Sequence, residues 1–240
     1  MQSVSFEAIQ PFIPKKLIKA LKRGALGVLP VAATCAAARE IRDGDIVFCG
    51  TGISMLAAMA AKNISAPNSV IFFETGAIDS LLEEVPLAVS DSRVMFWTSV
   101  NGNLADAFAA MQNRFTGPHV VGIMGAAQID KYGNLNSTAI GDYFKPKVRF
   151  SGSGGACDVA SFVGRTITFM QHEKRKFVQK IDYITSPGWL NGPDGRKKAG
   201  LPAGITPQKI FDNMGFEIDV SRAKEVESPT ESELKILRGK

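Results

Sequence analysis

Apolar residues gather along this chain in short runs: Ile46-Val47-Phe48-Cys49, Val70-Ile71-Phe72-Phe73, Val94-Met95-Phe96-Trp97, Val120-Val121-Gly122-Ile123-Met124, Thr166-Ile167-Thr168-Phe169-Met170 and Ile181-Asp182-Tyr183-Ile184. Successive side chains of a strand point to opposite faces, so a run that is apolar at consecutive positions predicts a strand covered on both sides. Between the runs, Ser54 to Lys62 and Leu104 to Gln112 carry helix formers at helical spacing. Ala32 to Ile41 predicts a further amphipathic helix, ended by the polar Arg42-Asp43-Gly44-Asp45 turn. Strand and helix in alternation predict an α/β fold, an open, mostly parallel sheet flanked by helices.

Ligands of such sheets sit outside the carboxyl ends of the strands. Gly50-Thr51-Gly52, Glu74-Thr75-Gly76 and Gly125-Ala126-Ala127-Gln128 each follow a strand run. Glu74 ends a run that reads as buried. It is either a nucleophile or acid/base group in a low-dielectric cleft, or a solvated residue where the strand surfaces. Asp79, Glu83 and Glu84 read as solvent-facing loop residues. Ser151-Gly152-Ser153-Gly154-Gly155-Ala156 opens onto a predicted helix start at Cys157-Asp158. Its backbone amides suit a phosphate or an oxyanion, and the alternative is a flexible turn with no ligand. No Gly-Lys-Ser/Thr follows, which excludes a Walker A loop, and the spacing is not that of a dinucleotide fingerprint. Gln171-His172-Glu173-Lys174-Arg175-Lys176 is either a solvated face or a basic cluster that draws the phosphates of a large anionic cofactor.

Composition changes the picture in one respect. A chain of 240 residues, 45% hydrophobic and 21% charged, reads as one large domain or at most two small ones, with too much apolar content for disorder and no apolar run long enough to span a bilayer. The net charge of +5 and a pI near 9.1 invite a nucleic-acid reading. Five bases (Lys15, Lys16, Lys19, Lys22, Arg23) against Glu7 supply most of that excess, while residues 31–220 hold 18 basic and 18 acidic side chains. No aromatics interleave the basic runs as stacking platforms. No nucleic-acid partner is expected. The division expected is a basic N-terminal arm over residues 1–30 and a single domain over 31–240. Lys15 to Ala38 has the outline of a secretory signal peptide, but its basic stretch begins fifteen residues in and Pro30 interrupts the apolar part. Cys35, Cys49 and Cys157 form no C-x-x-C pair and leave one cysteine over, which fits a reducing cytoplasm. His119 and His172 have no ligand-spaced partner, so no metal is expected.

Taken in order, the motifs resemble the beta subunits of family I CoA-transferases, those acting on glutaconate above all. The resemblance is dense from about Ala33 to Pro202 and resumes at Gly204. It is carried by Gly125-Ala126-Ala127-Gln128-Ile129-Asp130, Tyr132-Gly133-Asn134-Leu135-Asn136-Ser137-Thr138, Ile140-Gly141-Asp142-Tyr143, Arg149 through Ala156, Gln171-His172-Glu173-Lys174-Arg175, and Ile181-Asp182-Tyr183 through Thr185-Ser186-Pro187-Gly188-Trp189.

The resemblance implies an open α/β sheet shared with ribose-5-phosphate isomerase-like proteins and a site completed by a separate alpha subunit in a hetero-oligomer. It implies Glu74 as the nucleophile, since the family's glutamate sits in a Glu-Ser-Gly or Glu-Asn-Gly turn. It also implies Gly152, Ser153, Gly154 and Gly155 as the oxyanion loop, with Gln128 and Asn136 as further oxyanion- or CoA-binding candidates. Coenzyme A would be substrate and covalent intermediate rather than a resident cofactor, moved between an acyl-CoA and a carboxylic acid through a glutamyl-CoA thioester. The alternatives are a CoA-transferase-like hydrolase or decarboxylase subunit, or a non-catalytic partner subunit. Two departures stand out: Thr75 replaces the family's Ser or Asn, and a strand-forming stretch is missing between Leu201-Pro202 and Gly204-Ile205-Thr206. The arm has no counterpart in the family.

Overall fold

The computed structural model describes residues 28–50, 52–82, 86–171, 173–192, 194–201 and 229–238. Most of the arm, Thr51, Glu83, Glu84, His172 and the region around the missing stretch after Leu201 lie outside the described residues.

Helix α1 (Val28–Glu40) leads into β1 (Ile46–Phe48), α2 (Ile53–Ile64) and β2 (Val70–Phe72). A short antiparallel ribbon follows, β3 (Ala77–Ile78) and β4 (Val100–Asn101), then α3 (Leu104–Gln112) and β5 (Val120–Gly125). Two small hairpins come next, β6 (Gln128–Ile129) with β7 (Leu135–Asn136) and β8 (Ala139–Gly141) with β9 (Pro146–Arg149). The described chain continues through α4 (Ala156–Phe162), β10 (Arg165–Phe169), α5 (Gly195–Lys198) and α6 (Glu231–Arg238). The main sheet runs β10-β5-β1-β2-β3-β4. Its first four strands are parallel and its last two antiparallel. The expected open, mostly parallel α/β sheet is what forms.

Residues of opposite parity along the strands divide the core in two. Val47, Cys49, Ile71, Phe73 and Ile123 pack with Ala37, Ala38 and Ile41 of and just after α1, and with Met55, Ala57 and Ala61 of α2. Phe48, Phe72, Val120 and Met124 face the other way, onto Ala107 and Met111 of α3 and Val159 of α4. Both faces are therefore covered by helices, which is why the runs of the central strands β1, β2 and β5 carry no charged position. Full burial of a side chain such as Ile71 contributes on the order of 2 kcal/mol. Close approach is set by Gly122 on β5, where a Cβ would lie 2.1 Å from Val159 Cγ1. Helix α6 packs on α2 and ties the C-terminal end to the same body.

The structure departs from expectation at four places. Helix α1 begins four residues earlier than expected and includes Pro30, whose missing N–H costs nothing in a first turn. Val94 to Trp97 is not a strand: residues Ser92–Met95 form a 3-10 turn capped by Asp91, whose carboxylate accepts from the Arg93 amide at 3.0 Å. Only Val94 of that run reaches the core, and Trp97 is 74% exposed. Ile181 to Ile184 is also irregular, because the Asp182 amide and carboxylate bond to the Gln128 side chain and the Gly141 amide rather than to a ladder. Asp79, expected in solvent, is half-buried and accepts from Lys62 Nζ at 2.7 Å, fastening β3 to α2.

Candidate active site

The parallel strands β1, β2, β5 and β10 deliver their carboxyl ends to one edge, and Glu74 stands there. It occupies the tip of the turn joining β2 to β3. The Gly76 amide donates to Phe73 O at 3.0 Å, and the Phe73 amide donates to Ala77 O at 3.0 Å, closing the turn tightly. Gly76 has φ +93° and lies flat against the backbone of Gly102, whose amide donates to Gly76 O at 2.8 Å. A side chain at position 76 has neither the dihedral nor the room. The turn thus holds Glu74 half-buried, and its carboxylate has no hydrogen-bond or ion-pair partner among the described residues. Next to it, the Thr75 hydroxyl oxygen is buried and also without a partner.

The glycine-rich loop is built on a different support. Gly152 donates to Ser137 O at 3.1 Å, and Ser137 Oγ donates to Gly152 O at 3.0 Å, so β7 and its exit carry the loop. Gly152 and Gly154 take φ values of +91° and +50° with open space where a Cβ would stand. Ser153 Oγ accepts from the Cys157 amide at 2.9 Å, fixing the entry to α4. The amides of Ser153, Gly154 and Gly155 have no acceptor among the described residues. A row of such donors is what an incoming anion or a developing oxyanion requires.

An aromatic floor joins the two parts. A Cβ on Gly155 would lie 3.1 Å from the Phe108 ring and 3.3 Å from the Phe48 ring. Phe48 in turn meets Phe72 edge-on, with ring centroids 5.2 Å apart. Phe72 is two residues before Glu74, so the loop and the turn rest on neighbouring rings at one edge of the sheet. Nothing in the sequence singles out this floor, although Phe48 and Phe72 both lie towards the ends of strand runs.

Gln128 and Asn136 face one another across the β6–β7 hairpin, buried and committed to protein partners. Asn136 Nδ2 donates to Gln128 Oε1 and to Ala139 O, both at 2.7 Å, while Asn136 Oδ1 accepts from the Thr138 amide at 2.9 Å. Gln128 Nε2 donates to Asp182 Oδ2 at 3.0 Å, and Asp182 also accepts from the Gly141 amide. These side chains brace the platform that carries Ser137 and hence the glycine loop. Asp182, Ser137 and Gly102 are supporting residues whose part no local pattern reveals, although the first two lie within the family motifs.

The basic stretch after β10 pairs within itself. Arg175 donates to Glu173 at 2.5 Å, and the guanidinium holds the Glu173 carboxyl below its ordinary range. Lys176 donates to Gln171 at 2.6 Å. Three bases against the one acid leave the stretch net positive, and with Lys174 and Arg175 exposed it has the form of a solvated face. Cys49, at the end of β1, is buried, and burial pushes its thiol pKa upward, which favours the thiol over the thiolate. A cavity of about 50 Å³ beneath β5 and α4 includes neither the Glu74 turn nor the glycine loop in its lining. No group of metal-ligating side chains occurs among the described residues, and no helix among them is long and apolar enough to cross a membrane.

Comparison with known proteins finds relatives over most of the chain. The chain is 39% identical to the beta subunit of glutaconate CoA-transferase from Acidaminococcus fermentans, over 84% of this chain and 87% of that subunit. It is 33% identical to the beta subunit of 3-oxoadipate CoA-transferase from Pseudomonas knackmussii, over 85% of this chain and 90% of the relative. The crystal structure of the Acidaminococcus fermentans glutaconate enzyme superimposes with a TM-score of 0.77 at 36% identity, covering 85% of this chain and 91% of that one. With the pattern of the Coenzyme A transferase family matching residues 31–223, the chain belongs to that family, as an enzyme subunit of the beta type.

Proposed function

We propose that this chain carries the nucleophile of a two-subunit CoA-transferase, and that the nucleophile is Glu74. The observation that carries the reading is the unpaired Glu74 carboxylate on a rigid turn at the ligand-binding edge of the sheet. A carboxylate is a weak nucleophile in water, and partial desolvation next to preorganised donors makes attack on a thioester feasible.

In the first step Glu74 attacks the acyl-CoA carbonyl; a C–O bond forms, the C–S bond breaks and CoA leaves as thiolate. The thiolate then attacks the Glu74 carbonyl carbon of the mixed anhydride, forming glutamyl-CoA and releasing the donor acid as carboxylate. An acceptor carboxylate attacks that thioester, CoA leaves again, and its attack on the new acyl carbon yields the product acyl-CoA and free Glu74. No proton or electron is gained or lost over the cycle. The amides of Ser153, Gly154 and Gly155 serve as oxyanion donors, and Gln128 and Asn136 act as positioning residues for the loop rather than as contacts.

The relatives are named for glutaconate and 3-oxoadipate, both dicarboxylates, so short and dicarboxylic acids are the substrate class assigned here. An alpha companion subunit supplies the rest of the site in a hetero-oligomer. Exposed apolar residues stand ready for it on both flanks, with Trp97, Val100 and Leu104 beside Gly102, and Tyr143 and Phe144 ahead of the glycine loop. Free thiols and a CoA substrate fit work in the cytoplasm. To test the reading, the chain is assembled with its companion subunit and given acetyl-CoA with glutaconate or 3-oxoadipate. Mass spectrometry of peptides should show a CoA adduct on Glu74. Undiminished exchange in Glu74→Ala overturns it.

A further inference from the structure

Buried hydroxyls before β2 and after β3 find acceptors. Ser69 Oγ donates to Ala66 O at 2.7 Å and Ser80 Oγ to Val94 O at 2.5 Å. Thr75 Oγ1 is the exception: among the described residues it is the buried side-chain polar atom that has no partner. Native structures rarely leave such a group, and where they do the group often has a task that ordinary packing does not supply. It lies one residue from the proposed nucleophile, on a turn pinned by Gly76 against Gly102. Its β-branched side chain has little rotamer freedom with which to turn the hydroxyl away.

The transfer cycle passes through four tetrahedral intermediates. Two form on the acyl carbon and two on the side-chain carbon of Glu74 itself, once when CoA thiolate attacks the anhydride and once when the acceptor carboxylate attacks the glutamyl thioester. The latter pair places negative charge on an oxygen of Glu74. The glycine loop rests on β7 and α4, whereas Thr75 belongs to the same rigid turn as Glu74. A free Glu74 carboxylate and a glutamyl oxyanion both lack protons to donate, and Thr75 carries an uncommitted O–H.

We propose that Thr75 Oγ1–H is held in reserve as the hydrogen-bond donor to the glutamyl oxygen of Glu74, while the glycine loop serves the acyl oxygen. The inference rests on the assignment of Glu74 as nucleophile. It makes Thr75 a catalytic residue of the two steps centred on Glu74, one in each half-reaction, acting where charge develops.

The test uses the assembled two-subunit enzyme with Thr75→Val, Thr75→Ser and, in parallel, Glu74→Ala. Glutamyl-CoA enzyme is formed with acetyl-CoA, and its discharge to glutaconate is followed in a single turnover. Thr75→Val, which keeps the shape and deletes the hydroxyl, is expected to slow discharge about 100-fold or more. Half-saturating acceptor concentration should change by less than about twofold, as for an interaction made only in the transition state. Thr75→Ser should restore most of the rate, and all three variants should assemble with the companion subunit as the wild type does. Discharge of Thr75→Val at the wild-type rate overturns the proposal, as does a Thr75→Ser variant equally slow, or a Thr75→Val loss that disappears at saturating companion subunit. Full exchange in Glu74→Ala overturns the nucleophile assignment itself, a separate outcome.

Discussion

Gly76 and Gly102 touch backbone to backbone: a Cβ on Gly76 would stand 2.4 Å from the carbonyl carbon of Gly102 and 2.5 Å from its oxygen. This contact, with the 2.8 Å hydrogen bond from the Gly102 amide to Gly76 O, presses the tip of β2–β3 onto the exit of β4. Glu74 owes its fixed position to a pair of residues without side chains. Gly76→Ala meets a steric clash and a positive φ together, at a cost of about 2–4 kcal/mol. The expected outcome is a lower melting temperature and loss of exchange exceeding what the unfolded fraction explains, checked by thermal denaturation beside steady-state assay of the assembled enzyme.

That turn also marks how far the sequence could be read. Strands β1, β2 and β5 and helix α2 were legible because each buries an apolar run in the sheet sandwich, whereas β10 and α3, only partly buried, were legible from their strand and helix formers. Strands of two residues, such as β3, β4, β6 and β7, carry no period of their own and are set by long-range pairing. Val94 to Trp97 misled for the opposite reason. Its apolar side chains mimic a buried run, yet the Asp91 cap with its Arg93 partner dictates a turn, and Phe96 and Trp97 are left outside. At the site, Glu74 and the glycines were visible as residue types after strands. The commitment of Gln128 and Asn136 to one another, and the lack of a partner for Thr75 Oγ1 among the described residues, depend on three-dimensional neighbours that no local pattern encodes.

Two glycines within thirteen residues should respond to alanine in opposite ways. Gly152 has open space at its missing Cβ but φ +91°, whereas a Cβ on Gly164 would lie 2.0 Å from Pro118 O. Gly152→Ala is expected to cost only about 1 kcal/mol of stability while redirecting the loop amides, and exchange should fall on the order of 10²-fold. Gly164→Ala should destabilise by several-fold more, roughly 3 kcal/mol or beyond, and lose activity only with the fold. Paired melting curves and kcat values separate the two; equal effects on both quantities would refute the distinction.

Asn136 tests whether the hairpin network positions the loop or contacts CoA. Asn136→Ala takes their side-chain partner from Ala139 O and from the Thr138 and Ala139 amides in a buried setting, and leaves Gln128 Oε1 with the Asp182 amide alone, for a loss of about 2–4 kcal/mol. For a domain of this size that corresponds to a melting temperature lower by roughly 5–12 °C. Below the transition, the KM for acyl-CoA should stay near the wild-type value while kcat declines as the loop loosens. A raised KM with an unchanged melting temperature would instead make Asn136 a ligand contact.

Acid should release the C-terminal helix before the sheet. Glu233 closes a capping box at the start of α6, accepting from the Thr230 amide at 2.7 Å, and receives Arg39 of α1 through two bonds of 2.9 and 2.8 Å. The Arg39 guanidinium is the chief cause that holds its carboxyl below the ordinary value of 4.5, with the Thr230 bonds adding to it. A carboxyl depressed in the folded state contributes stability that is fully present above the unfolded value and is lost as pH falls through the folded one. Docking of α6 should therefore be constant from neutral pH down to about pH 5 and weaken progressively below about 4.5. Glu233→Gln should loosen α6 at neutral pH by about 1–2 kcal/mol and remove that acid dependence. Hydrogen exchange of peptides covering residues 229–238, measured at several pH values and corrected for intrinsic rates, provides the check. Exchange in Glu233→Gln that matches the wild type at neutral pH would show that the pair does not hold the helix.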